Sequence, residues 1–394
     1  YVVAGGLRSL LSWLPRCRFT EDEVDWLAAH QDFPDSFLES LATFRFTGDV
    51  YAIPEGAVVF PGEPLVQVRA PIGQAQIIET AVLNLIHFQT LVLSKATRIV
   101  HAAQGRPVIE FGSRRAPGAD AALNVARAAC LAGFHSTSSV LAGKLWGVPI
   151  AGTMTHSFIQ AHASEAEAFA AFAKVNSGTT LLVDTYDTLE GVRAVIALRD
   201  RLGPLFNVGA IRLDSGDLGS LAKSARQLLD RSGLTSMKIL ASSGLDEYRI
   251  AQLIAEDAPI DMFAVGTKLA VCSGASELDM AYKLVEYDGK PCYKLSPGKT
   301  VYPGPKQVFR ESRGGKAIRD TIGRADEKLP GCPLLRPAIL GGVVQPQPIL
   351  EESRAWLRNQ LTLLPAGYLS LDETEPYPVS FSPALQNDLE KLRR

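Results

Sequence analysis

Ala210-Ile211-Arg212-Leu213-Asp214-Ser215-Gly216-Asp217 is the stretch that decides the fold. The apolar run from Phe206 to Ile211 leads straight into one cation, two carboxylates, a hydroxyl and a glycine. So apolar a run buries as a strand. The polar cluster then falls at the strand's carboxyl end, where parallel α/β folds hold their chemistry. Paired aspartates there can bind ribose hydroxyls or, through Mg2+, a pyrophosphate. Arg212 can meet a carboxylate or phosphate bidentately. The eight residues suggest a phosphorylated sugar and an anion.

The same grammar extends outward. Val108 to Phe111 runs into Gly112-Ser113-Arg114-Arg115, and Val148 to Ala151 into Gly152-Thr153-Met154-Thr155-His156-Ser157. Leu181 to Val183 runs into Asp184-Thr185-Tyr186-Asp187, and Ile239 to Ala241 into Ser242-Ser243-Gly244. Met262 to Val265 ends in Gly266-Thr267. The later runs recur every ~25–30 residues, as β/α units do. A doubly wound sheet uses only a few strand ends for its site. Polar residues at every strand end favour a barrel.

The two ends of the chain read differently. Residues 1 to about 45 look helical, short strands follow up to Val68, and a long helix starts near Gln74. After Lys283 the chain returns to short strands, then an amphipathic helix from Ile349 to Leu361 and a polar tail. The expected organisation is an α/β barrel over residues 106–282, inserted into a smaller α/β sandwich domain of residues 1–105 and 283–394.

Composition narrows the function. A chain of 394 residues with 46% hydrophobic and 21% charged residues is globular, and a net charge of -2 gives no reason to expect nucleic acid or a membrane surface. The five cysteines are scattered and form no C-x-x-C pair, which argues against zinc and a disulfide framework and favours a reducing cytoplasm. No segment reads as membrane-spanning or as a signal peptide. There is neither a P-loop nor a G-x-G-x-x-G after a strand.

Several side chains could carry chemistry. His156, just beyond a buried run, is a candidate nucleophile or general acid/base; the plainer alternative is a hydrogen-bonded packing histidine. Asp184 is a candidate orienter for it, with Asp187 the better fit for a helix cap. Arg114 and Arg115 suggest an anionic substrate, with a surface ion pair as the alternative for one of them. Ser243-Gly244 and Gly266-Thr267 offer backbone amides to a phosphate on the late strands.

With those residues in view, the chain resembles the nicotinate phosphoribosyltransferases. The resemblance rests on Phe60-Pro61-Gly62-Glu63-Pro64-Leu65, Ile78-Glu79-Thr80, Leu83-Asn84, Phe88-Gln89, Phe111 to Ala116 and Ser139 to Gly143. It continues through Gly152 to Ser157, Asp184-Thr185-Tyr186, Arg212 to Asp217, Gly266-Thr267, Tyr282 to Val285 and Lys294-Leu295-Ser296. It implies a type II phosphoribosyltransferase fold, an irregular α/β barrel with an α/β sandwich domain, and a homodimer. It implies that nicotinate and 5-phosphoribosyl-1-pyrophosphate give nicotinate mononucleotide and pyrophosphate, coupled to ATP hydrolysis by an ATP-dependent ligase. The matching phosphohistidine is His156. Mg2+ with Asp214 or Asp217 would hold ribose and pyrophosphate, and Arg212 and Arg114 the anionic groups. Ser243, Gly244, Gly266 and Thr267 would take the 5′-phosphate, with Thr153 and Ser157 lining the histidine segment. A nicotinamide enzyme favours an acidic residue where this chain has Ser136 in Phe134-His135-Ser136-Thr137-Ser138, which suits an acid substrate, and a quinolinate enzyme must hold two carboxylates and decarboxylate without a phosphohistidine, which the Gly152-to-Ser157 segment argues against.

Family members begin with an Asp-x-Tyr-Gln segment that this sequence does not contain before Tyr1, so the expectation is a chain lacking its natural beginning. Two other classes compete: a barrel lyase or isomerase acting on a sugar phosphate, with Lys268 as its Schiff-base candidate, and a binding protein without turnover.

Overall fold

A computed structural model describes residues 1–295, 300–372 and 375–393. Ser296 of the Lys294-Leu295-Ser296 match lies outside the described residues. The chain divides into two compact units, one of Tyr1–Ser94 with Glu277–Arg394 and one of Lys95–Ser276.

The second unit holds the repeated strands. They are β1 (Val108–Glu110), β2 (Ser136–Thr137), β3 (Thr179–Leu182), β4 (Val208–Leu213), β5 (Lys238–Ala241) and β6 (Met262–Val265). They form one parallel sheet in the order β2-β1-β6-β5-β4-β3. The first and last strands in sequence are neighbours, with Val108 opposite Phe263. That cyclic order is the order of barrel staves. The hydrogen-bonded sheet opens between the β2 side and β3, so the architecture is a curled half-barrel, the irregular α/β barrel expected from the sequence.

Near-continuous apolar sequence builds the staves because both of their faces are covered. Leu181, Leu182, Ile211, Leu213, Ile239 and Val265 are all fully buried. Each of β3, β4 and β5 leads to a helix that an aspartate caps. Asp187 caps Thr188–Leu202, Asp217 caps Leu218–Arg231 and Asp246 caps Glu247–Ala255, each accepting backbone N–H bonds in the first turn. Such a cap contributes about 1 kcal/mol where it is sheltered from solvent, and it fixes where the loop ends. Gly191 lets the first of these helices approach its strand, since a Cβ there would fall 2.0 Å from the Val183 carbonyl oxygen.

One expected strand is not built. Val148 to Ala151 makes only a parallel bridge, Ile150 to Thr137, with Thr137 N–H bonding Pro149 O and Ala151 N–H bonding Thr137 O. Pro149 has no N–H to continue a ladder. The second stave is instead Ser136–Thr137.

In the first unit, both ends of the chain share sheets. Asp49–Ala52 lies between Val66–Arg69 and Arg336–Leu340, with Val50 opposite Ile339. These two side chains sit in a core with Leu7, Leu10, Leu14, Ile78 and Val82. A second sheet has the order Cys332–Pro333, Lys306–Arg313, Lys316–Arg324, Val379–Phe381. Its long hairpin was not anticipated, although Gly314-Gly315 at its turn, with φ of 57° and 74°, is the signal that would have found it. The expected polar tail is a strand and a helix, Pro383–Arg393, whose Leu385 and Leu389 are buried. The long helix is two, Ile72–Ile77 and Glu79–Ala102. Among the described residues no helix is long and apolar enough to cross a membrane.

Candidate active site

The polar cluster forms where the strand reading placed it, at the carboxyl ends of the staves. Arg212 lies near the end of β4, and its guanidinium is gripped on three sides. Nε donates to Ser242 Oγ at 2.8 Å, Nη1 donates to Thr153 Oγ1 at 2.8 Å, and Nη2 pairs with Asp214 Oδ1 at 3.0 Å. Its central carbon lies 5.4 Å from the centre of the Phe111 ring, just past β1. The cation is thus oriented by residues from four different strand ends and loops. Ser242 Oγ donates in turn to Asp214 Oδ1 at 2.6 Å.

His156 opens the short helix His156–Gln160, which Thr155 caps. One ring nitrogen, Nδ1, lies 3.1 Å from Thr185 Oγ1, and the other, Nε2, lies 3.6 Å from Asp214 Oδ2. The ring is therefore held on both sides and still partly exposed.

The carboxylate beside His156 is Asp214, not Asp184. Asp184 Oδ2 accepts the Asp214 N–H at 2.9 Å and the Ser215 hydroxyl at 2.5 Å, so it fixes the turn that carries Asp214. The reason is register: the turn after β4 folds its amide onto the end of β3. Asp184 Oδ1 and Glu165 Oε1 are both buried without a hydrogen-bond partner among the described residues. Burial, then the charges of Asp184 and Asp187, pushes the Glu165 carboxyl up to about 7.

The two aspartates of the opening stretch part company. Asp217 turns away to cap its helix, taking the Gly219 and Ser220 amides on Oδ1 and the Ser220 hydroxyl on Oδ2. The Ser220 hydroxyl and amide hold its carboxyl below the usual range. Among the described residues no three His, Cys, Asp or Glu side chains gather as metal ligands.

The remaining candidates lie on or beside other strands and turns of this unit. Arg114 and Arg115 are exposed on the turn Ser113–Arg115, and neither guanidinium has a partner among the described residues. Ser136 is buried on β2, and its hydroxyl makes no hydrogen bond among the described residues. Ser157 Oγ shares a bond with Thr155 Oγ1 at 2.8 Å. Ser243 and Gly244 are exposed and adopt left-handed backbone, with φ of 86° and 61°. Gly266 and Thr267 lead into the short helix Thr267–Ala270. Lys268 is engaged by Asp246 at 3.2 Å, which leaves it poorly suited to a Schiff base.

Phe111, Thr185 and Glu165 were not singled out from the sequence. Phe111 reads as the last apolar residue of its strand and Glu165 as a helix-start acid, so nothing local marks them. Thr185, beside Asp184, was within reach.

Comparison with known proteins gives the family. The model of the nicotinate phosphoribosyltransferase family matches residues 107–311, with that enzyme's N-terminal domain matching 1–87 and its C-terminal domain 332–389. The chain is 52% identical over its full length to nicotinate phosphoribosyltransferase pncB2 of Mycobacterium tuberculosis, covering 86% of it. It is 37% identical to the Bacillus subtilis nicotinate phosphoribosyltransferase, over 97% of this chain and 85% of that one. The crystal structure of human nicotinic acid phosphoribosyltransferase superposes with a TM-score of 0.88 at 29% identity, over 99% of this chain and 92% of that one. The chain belongs to the nicotinate phosphoribosyltransferase family.

Proposed function

We propose that this protein joins nicotinate to 5-phosphoribosyl-1-pyrophosphate, giving nicotinate mononucleotide and pyrophosphate in NAD salvage. The observation that carries the reading is the Arg212–Asp214–His156 cluster at the carboxyl ends of the staves, in a chain of this family. The pyridine nitrogen attacks ribose C1 as pyrophosphate leaves. That step needs positioning and charge stabilisation more than a strong base. Arg212, Arg114 and Arg115 supply positive charge. The Phe111 ring offers an apolar face, and the Ser136 hydroxyl, without a partner among the described residues, offers a donor for the nicotinate carboxylate. Ser243, Gly244, Gly266 and Thr267 receive the 5′-phosphate through their loops.

In this reading His156 accepts the γ-phosphoryl group of ATP, ADP leaves, and hydrolysis of the phosphohistidine draws synthesis forward. Thr153 reaches this site through Arg212 and Ser157 follows His156 in the same short helix, while Asp184 holds the turn that carries Asp214 beside the ring. Mg2+ is held through one or two carboxylates together with substrate phosphates in sites of this kind. Asp214 would be that single protein donor through Oδ2, since Oδ1 is taken by Arg212 and Ser242, and a bound ion would neutralise the leaving pyrophosphate. A homodimer is supported by the exposed apolar side chains of Val140, Leu141, Leu145 and Ile150, a patch that favours a partner. The cytoplasm suits the five cysteines, all free thiols.

The test is incubation with nicotinate, phosphoribosyl pyrophosphate and Mg2+, with and without ATP, followed by chromatography. Nicotinate mononucleotide with ADP formed in step is expected, and no product would overturn the reading. His156→Ala should abolish labelling of the protein by γ-phosphate while leaving it folded; label persisting on the variant removes the role.

A further inference from the structure

Glu110 ends β1, is completely buried, and takes no part in the proposed reaction. Its oxygens are nevertheless fully used. Oε1 accepts the Gly112 amide, and Oε2 accepts the Thr137 hydroxyl of β2 at 2.5 Å. The Ser113 amide bonds the same carboxylate, and these bonds oppose the rise that burial imposes on its ionisation. A carboxylate this deep is costly unless it is bonded on all sides. Here the bonding groups are the backbone of one turn and the neighbouring stave.

The turn is pinned from its other side as well. A Cβ on Gly112 would fall 2.9 Å from Gly266 O and 3.0 Å from Ala270 Cβ, so the chain after β1 is pressed against the end of β6. Phe111, whose ring lies under Arg212, immediately precedes Gly112, and Arg114 and Arg115 immediately follow Ser113. The two guanidiniums have no partner among the described residues, so the backbone of this turn sets where they start from.

We infer that Glu110 is a positioning residue: by clamping Gly112 and Ser113 to Thr137, it fixes the directions from which Phe111, Arg114 and Arg115 meet the substrates. The inference rests on the proposed reaction for its choice of substrates.

Steady-state kinetics of Glu110→Ala, Glu110→Gln and Thr137→Val test it, with melting curves as the control for folding. Glu110→Ala should raise KM for nicotinate and phosphoribosyl pyrophosphate about tenfold or more, with kcat falling less, because misplacement of binding groups by about 1 Å is enough to do so. Glutamine keeps an oxygen for the two amides and turns its NH2 to the Thr137 hydroxyl, so Glu110→Gln should restore KM to near the parent value. Thr137→Val should fall between the two. A folded Glu110→Ala protein with parent KM values would overturn the inference, as would a glutamine variant no better than the alanine one. If the alanine variant does not fold, an unchanged KM in Thr137→Val overturns it equally. If the parent protein makes no nicotinate mononucleotide, the proposed reaction fails alone. Calorimetric binding of inorganic pyrophosphate to the parent and to Thr137→Val then decides: weaker binding in the variant supports the clamp and equal binding sinks it.

Discussion

Two arginines in this chain have the same neighbours and opposite tasks. Arg212 and Arg310 each sit 5.4 Å from a phenylalanine ring, Phe111 and Phe60, and each is paired with an aspartate. In the unit built from both chain ends, the Arg310 and Asp320 side chains are 5% and 0% exposed. Asp320 takes the Arg310 fork and the Tyr377 hydroxyl, and Tyr377 stacks on Phe60 at 3.7 Å. In the stave unit, Arg212 and Asp214 are 12% and 21% exposed, and His156 beside them 42%. The ingredients match, so the difference lies in access. A closed cluster satisfies itself and holds strands together. An open one, fixed from below and bare above, is left to satisfy something else.

The comparison can be broken at the closed cluster first. Arg310→Ala strands the Asp320 carboxylate in the core and should cost about 3–5 kcal/mol in urea unfolding. A loss below about 1 kcal/mol would mean the cluster is not structural. At the open cluster the effect should move from stability to turnover. Arg212→Ala is expected to lower kcat/KM about a hundredfold, equivalent to ~2.7 kcal/mol of barrier, with a smaller change in unfolding free energy. The reverse ranking would erase the distinction.

Glu63 sharpens it through pH. Burial, then the hydrogen bond and charge of Asp320, pushes its carboxyl up to about 9. The folded state therefore holds a proton that the unfolded state releases near its ordinary value. That contribution is fully present below about pH 4.5 and is lost as pH rises toward 9. Stability should fall by at most about 1.4 kcal/mol per pH unit across this window. Glu63→Gln should flatten the slope, as thermal melts over that range would report. The smallest effect is expected at Asp217. Asparagine caps helices as well as aspartate does, so Asp217→Asn should leave activity and its Mg2+ requirement unchanged. A raised Mg2+ requirement would return this residue to the open cluster.

The staves were legible because burial on both faces leaves long apolar runs, and each run pointed to its polar end. Arg212 and Asp214 could be named from that rule alone, whereas His156 follows the run at Val148, which builds only a bridge. The pairing of the three could not be named from it. Which of Asp184 and Asp214 faces the histidine depends on how two turns dock, a distance across 30 residues that no local pattern encodes. The weak stave at Ser136–Thr137 was hidden by its polar composition, and the run at Val148 misled because one proline stops a ladder that its neighbours invite. In the other unit, burial of Leu385 and Leu389 on a charged helix gave too narrow an apolar stripe to stand out from a tail.

Ser243 carries a consequence for engineering. A serine at φ 86° occupies backbone that glycine adopts freely and that costs other residues about 1 kcal/mol or more. The protein bears this strain at the mouth of its open cluster, at a position where relief is a single substitution away. Ser243→Gly should relieve that strain in the folded state while giving the unfolded chain more freedom to lose, so thermal melts of the variant read the difference between the two.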